Sequence, residues 1–304
     1  MPDRSTTIIS HGIIDSRPRE VYGNGPTELR IGNGGAGLLK ALSEDYLSRR
    51  SGAARSISWV CNHSRNTQLA LLHDYVDVAL TYERDQENVA EGEGWAVNHG
   101  CVFHDHFCLA GPVADPAGIA TSSVVGRALQ MIAEKQMLFH GRADFSATMW
   151  KERSLWEVMG LRPFEEDNGK QDWYRTTQYT PAQAIIEADK AGAYLLIDRS
   201  TLLRQVADGK VHNTTVFLEP SRRDDVLMNS CYALTRPDPP EATVRFLEYL
   251  TSVRGQDIIA RFGVEETGMP SFASIENGFA EKGLRGGWPA AGRWIARQKI
   301  SAVL

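Results

Sequence analysis

Apolar positions recur along the first hundred residues with two periods in alternation. In TELRIGNGGAGLLKALSEDYLSRR, residues 29–31 make a short strand-like run and glycines crowd positions 32–37. Leu38, Leu39, Leu42 and Tyr46 then share one face of a helix. SISWVCN alternates as a strand does, NTQLALLHDYV carries a cap and helical spacing, and VDVALTYE is an apolar, β-branched run suited to a buried parallel strand. This order predicts a parallel sheet with right-handed crossovers. Ligands of such sheets bind beyond the carboxyl ends of the strands, where the 32–37 turn falls.

A second pattern follows CVFHDHFCLAGPVADPAGIA. SVVGRALQMIAEK reads as a helix, MLFHG as a strand, SATMWKERSLWEVMG as a helix closed by Gly160, and TPAQAIIEADKAG as a helix closed by Gly192. AYLLIDR and TTVFLEP are strand-like, LMNSCYALTRPDPP reads as a returning strand, and EATVRFLEYLTSVRGQDIIARFG as one final helix. Residues 270–304 give no readable element, and no internal repeat occurs.

At 304 residues the chain exceeds what one core fills comfortably, so two lobes or one large α/β domain are expected. A net charge of -5 supplies no electrostatic footprint for nucleic acid or an anionic membrane, so any anion must be held by a local site. No stretch approaches the roughly 20 apolar residues of a membrane span. The first residues place charges where a signal peptide keeps its hydrophobic centre, which makes a cytoplasmic location the expectation. Four scattered cysteines suit free thiols better than a disulfide scaffold. Neither a cofactor nor a metal is required by any motif.

Three features carry candidate chemistry. In LFHGRADFSATMWKERSLW, a helix beginning near Ser146 turns its positive end toward whatever lies before it. Ser146 and Thr148 could add hydroxyl donors there, and Arg142 a bidentate charged contact to a carboxylate or oxyanion. The plainer alternative is that Asp144 or Ser146 caps the helix while Arg142 pairs with Asp144 on the surface. The glycines at 32, 34, 35 and 37 would let backbone approach a ligand, although no acidic residue follows at the spacing a dinucleotide site needs. In CVFHDHFC, strand alternation sends His104, His106 and Cys108 to one face, where two histidines could chelate a metal or transfer protons. His140 stands at a strand end two residues before Arg142. No nucleophile signature is present.

Several motifs together resemble the tungstate-binding family of periplasmic substrate-binding proteins. GPVADPAGI at 111–119 is similar to that family's G-P-x-x-D-P-A-G-I. GRADFSATMWKERSLW follows its S-R-G-D-x-S-G-T-H-x-K-E-x-x-L-W at Arg142, Asp144, Ser146, Thr148, Lys151, Glu152, Leu155 and Trp156. Trp173-Tyr174, GAYLLIDRST at 192–201 and LTSVRGQDIIARFG at 250–263 continue the match in order.

The resemblance implies an α/β, type II periplasmic-binding-protein-like fold. Each of its two lobes would be a mostly parallel sheet flanked by helices, joined by two crossing hinge strands around a ligand cleft. Residues 1–27 would be an N-terminal extension, 28–110 plus 231–304 one lobe, and 111–230 the other. The ligand implied is a small anion, either an oxyanion or an organic carboxylate, held by Asn33, Gly34, Gly35, Arg142, Ser146, Thr148 and Gln178.

Departures from the family pattern are local. GNGGAG replaces a Thr/Ser-rich loop, QYTPAQ replaces the Q-G-M-G portion of the third loop, and His104-Asp105-His106 replaces Y-N-D. No importer partner is evident in the chain. The added histidines leave a second possibility open, a cytosolic enzyme using His104, His106 and His140 for acid/base chemistry on a carboxylate- or carbonyl-bearing metabolite.

Overall fold

The computed structural model describes residues 5–35, 37–50, 52, 54–165, 172–220, 222–278 and 294–295. In chain order the elements begin β1 (Glu20–Gly23), β2 (Thr27–Asn33), α1 (Gly37–Ser48), β3 (Ser56–Cys61), α2 (Ser64–Leu72), β4 (Val78–Thr81), α3 (Arg84–Gly92) and β5 (Val97–Pro112). They continue with α4 (Val125–Glu134), β6 (Phe139–Arg142), α5 (Ala147–Val158), β7 (Tyr174–Thr177), α6 (Pro181–Ala191), β8 (Leu195–Asp198), α7 (Arg199–Ala207) and β9 (Thr214–Leu218). β10 (Met228–Thr235), α8 (Glu241–Thr251), α9 (Val253–Arg261), α10 (Val264–Thr267) and β11 (Trp294–Ile295) complete them.

The chain divides into two compact units. Unit 1 takes residues up to His104 together with Ser230–Phe262 and Ser274–Asn277; unit 2 takes Asp105–Asn229, Gly263–Ala273 and residues from Gly278 onward. Two of the passages lie inside β5 and β10, and the others fall after Phe262, Ala273 and Asn277. The first comes six residues earlier than the 110/111 boundary read from sequence, and Gly263–Ala273 groups with unit 2 rather than with the first lobe.

Unit 1 is built on β2, which pairs in parallel with both β3 and β4. β1 and β10 add antiparallel strands beside β3 and β4 respectively. Gly32 is essential to this packing, because a Cβ there would lie 2.7 Å from Thr67 Cγ2 and 3.3 Å from Val76. Val60, Leu69, Leu71, Val76 and Ala79 form its apolar interior with Ile8 and Trp95.

Residues 5–19 belong to this unit rather than trailing from it. Asn66 accepts from the His11 amide at 3.0 Å and donates to the carbonyls of His11 and Ile13 at 2.7 and 3.1 Å. Asn62 exchanges two hydrogen bonds of 2.9 Å with the backbone of Asp15. Two side chains thus pair with the strap's main chain much as a neighbouring strand would. Replacing Asn66 by alanine should cost about 1–3 kcal/mol and speed amide exchange at His11 at least about tenfold. Hydrogen exchange read by mass spectrometry checks this.

In unit 2, β5 pairs antiparallel with β8 and β9, and β6 runs parallel to β7. β5 is covered on both faces, which its alternation makes visible. Phe107 and Leu109 enter a cluster with Leu129, Phe139, Leu155 and Trp156, while Cys108 and Ala110 enter another with Ile185, Leu195, Leu202 and Val216. Helices α4 and α5 supply the first layer and α6 and α7 the second.

Candidate functional site

β6 and β7 end together. Their register pairs Phe139 with Tyr174 and Arg142 with Thr177, and the Ala143 amide donates to the Thr177 carbonyl at 2.9 Å. The carboxyl ends of the two strands therefore present Arg142 on one and Gln178 just past the other, the edge at which a parallel pair receives ligands. Gln178 is exposed there.

Between Arg142 and α5 the chain makes a tight turn through Phe145, whose φ of 58° lies in the left-handed region that a bulky side chain enters at a cost of about 1–2 kcal/mol. The strain places Ser146 as the N-cap of α5. Its Oγ accepts from the Met149 amide at 3.3 Å and donates to Asp144 Oδ1 at 2.7 Å. Asp144 Oδ2 in turn accepts from Arg142 Nη2.

Both plain roles foreseen for this stretch are thus present, with one correction: the Arg142–Asp144 pair is not on the surface. Arg142 is 2% exposed, and its Nε and Nη1 are buried with no hydrogen-bond partner among the described residues. Thr148, 6% exposed, follows in the first turn. Asp144 links the Arg142 guanidinium, with its two unused nitrogens, to the Ser146 cap at the mouth of α5.

Behind this turn lies Glu152, 1% exposed on the buried face of α5. Its carboxylate accepts from the Arg142 amide at 3.2 Å, the Tyr174 hydroxyl at 2.6 Å and the Trp156 indole at 3.3 Å. Burial raises its pKa from 4.5 to about 7, against the opposing pull of those donors. A raised carboxyl pKa means that the folded state binds more protons than the unfolded. Stability from this group is therefore full below pH 4.5 and declines as pH rises toward about 7.

Gly141 leaves room for this contact, since a Cβ there would run into the Tyr174 hydroxyl and come within 2.9 Å of Glu152 Oε1. Gly141→Ala should cost about 1–3 kcal/mol through forced displacement of Tyr174. Calorimetric melting should register it as a fall of about 2–10 °C.

The glycine turn of unit 1 behaves differently from expectation. Asn33 is buried and committed: its Nδ2 donates to the Leu80 carbonyl at 3.2 Å and its Oδ1 accepts the Gly35 amide at 2.7 Å. These bonds fold the turn, so neither the Asn33 oxygen nor the Gly35 amide is spare for an anion. Gly34 is exposed, with only ordinary contact at 3.5 Å to Asn62 O for a Cβ.

The three candidate histidines fall in different units. His104 belongs to unit 1, where its Nδ1 lies 2.7 Å from Ser230 Oγ and its ring 3.8 Å from Cys101 Sγ. His106 and His140 belong to unit 2. His106 is 2% exposed, because β5 is covered on both faces and strand alternation confers no open side. Asp105 beside it is also buried, its pKa raised first by desolvation and then by Asp198. His140 is half-buried, and desolvation followed by the Arg175 charge lowers its pKa. Among the described residues no three His, Cys, Asp or Glu side chains converge as a metal site would require. No described helix is long and apolar enough to cross a membrane.

A family model described as a PBP superfamily domain matches residues 35–254. The chain belongs to the PBP superfamily. Its type II periplasmic-binding-protein fold accords with the tungstate-binding protein TupA of Desulfovibrio alaskensis G20. That structure superposes with a TM-score of 0.69 at 22% identity, over 84% of this chain and all of that one. TupA of Peptoclostridium acidaminophilum is 29% identical over 208 residues, 64% of this chain and 67% of that protein. A Haloferax volcanii protein, named by inference as an ABC transporter anion-binding protein, is 26% identical over 233 residues, 74% of this chain and 65% of its own length. This PBP superfamily member thus spans about two thirds of the length of these two relatives. Its fold is that of the solute-binding-protein-like modules of this superfamily.

Sequence reasoning named Arg142, Ser146 and Thr148 as candidates, and met Glu152 and Tyr174 only as motif matches to which it gave no role. The signal was available: Glu152 falls on the same helical face as Thr148, Leu155 and Trp156, so a carboxylate occupies an apolar stripe.

Proposed function

We propose that this protein binds a small anion, an oxyanion or an organic carboxylate, at the mouth of α5, with Arg142 as its principal contact. The observation that carries this reading is a nearly inaccessible guanidinium with two nitrogens, Nε and Nη1, that find no acceptor among the described residues. Unsatisfied buried donors cost about 1–3 kcal/mol each, and an anion would remove that cost. Thr148 and the first-turn amides of α5 add donors aligned with the helix dipole, and Gln178 at the end of β7 is exposed and within the same strand-end edge. Ser146 contributes by capping rather than by direct contact, since its hydroxyl already donates to Asp144.

Both relatives' names speak of anions, tungstate in one of them. What is carried to this chain is the class, a compact anion that accepts several hydrogen bonds. Isothermal calorimetry with tungstate, molybdate, sulfate, phosphate, oxalate and succinate tests the reading. At least one should bind with a single-site Kd below about 10 µM. Heatless titrations across that whole panel would refute it.

A further inference from the structure

Glu152 joins the two halves of the proposed seat. It belongs to α5, whose mouth carries Ser146 and Thr148. Its Oε2 accepts the main-chain amide of Arg142, whose guanidinium offers the unused donors. Its Oε1 takes the Tyr174 hydroxyl and the Trp156 indole, which anchor the carboxylate to β7 and to the next turn of its own helix. A side chain at position 141 would break this arrangement, because Tyr174 and Glu152 fill the space beside Gly141.

Resting on the anion-binding reading, we infer that Glu152 is the positioning residue of this seat and that anion binding there is coupled to proton uptake by its carboxyl group. The coupling follows from charge. A bound anion at Arg142 and an ionised Glu152 are two negative groups attached to the same residue in a site from which water is largely excluded. Each therefore disfavours the other.

The groups that face Glu152 do not cancel this effect. β6 offers the Arg142 amide and β7 the Tyr174 phenol, and α5 offers the Trp156 indole and, more distantly, the Arg153 guanidinium. α4 and β8 share an apolar cluster with α5 through Leu129, Ile132 and Leu196. Burial already holds the carboxyl at about 7, so a modest further rise falls where proton uptake is measurable. The proton comes from buffer and resides on a carboxylate oxygen; no bond to the anion changes.

Calorimetric titration of the whole protein at about pH 7.5, in two buffers of different ionisation enthalpy, reads the uptake directly. Tungstate, sulfate and oxalate are the probes, since none changes its own charge there. The wild type should take up about half a proton per anion, and affinity should weaken as pH is raised further. Glu152→Gln, which fixes the neutral form, should bind the same anion with no uptake and a flat pH profile, and more tightly than the wild type as pH rises above about 7. His140→Gln should leave the uptake unchanged.

Anion binding by the wild type without proton uptake overturns this inference alone, as does uptake that survives in Glu152→Gln or disappears in His140→Gln. The wild-type measurement decides even where the Gln variant fails to fold. If none of the three probes binds the wild type, the inference falls together with the reading on which it rests.

Discussion

Replacing Arg142 by alanine should abolish anion binding, with a loss of at least about a hundredfold in affinity. Two charge-assisted hydrogen bonds of about 1.5–3 kcal/mol each are removed together with the charge that neutralises the ligand. Arg142→Lys should recover part of this, because one point charge remains while the fork that engages two oxygens is gone. The change also frees Asp144 from its ion pair, so the seat becomes net negative and repels the anion that it held. Titration calorimetry of the three proteins with the tightest-binding anion is the check, accompanied by circular dichroism to show that the fold persists. Equal affinity in Arg142→Ala would remove the site from this place.

The largest effect on stability should come from Arg199→Leu. Arg199 opens α7 behind the Asp198 cap and is 1% exposed. Its Nη1 pairs with Glu219 at the end of β9, and its Nε donates to the Pro270 carbonyl at 3.0 Å. One guanidinium thus ties α7, β9 and the 263–273 segment together within unit 2. Removing it takes the Arg199 charge away from the buried Glu219 carboxylate, and breaking one side of a buried pair costs about 3–5 kcal/mol. A melting temperature lower by about 6–20 °C is expected in differential scanning calorimetry. Adding Glu219→Leu should restore most of that loss, since removing both members of a buried pair is far less costly than removing one. A single variant that melts within about 2 °C of the wild type would contradict the assignment.

How much of this was legible in advance depended on whether the determining contact is local. The α5 mouth was readable because Ser146, Gly160 and the apolar spacing between them are chain neighbours acting on one helix, and Gly192 closes α6 in the left-handed conformation for the same reason. The helix predicted across EYLTSVRGQ is in fact two. Ser252 is extended and its hydroxyl accepts the Gly255 amide at 3.2 Å, capping α9, which a continuous apolar period conceals. α7 was missed although Asp198 is a strong cap, because DRST reads as polar turn residues before the apolar pair Leu202-Leu203 appears.

Pairing direction was legible for β2, β3 and β4, which are parallel as their order predicted, but not for β5 and β8. Phe107 lies opposite Asp198 only because ninety residues of intervening chain return β8 against β5 antiparallel. The same distance effect explains the histidines and Asn33. Alternation along β5 put His104, His106 and Cys108 on one face, but helices cover both sides of its 107–110 stretch. Asn33 was read without the bond that one of its Nδ2 hydrogens gives to the Leu80 carbonyl, nearly fifty residues later. Residues 279–293 and 296–304, most of the tail left without a predicted element, lie outside the described residues.

The central claim is that the unused donors of Arg142 hold an anion at the mouth of α5. A crystal structure of the protein grown with the tightest-binding anion of the calorimetric panel tests it most directly. The account predicts an acceptor oxygen about 2.7–3.0 Å from Arg142 Nη1 or Nε, with the Thr148 hydroxyl or a first-turn amide of α5 as a second contact. An anion seated elsewhere, with both of those nitrogens still without an acceptor, would contradict it.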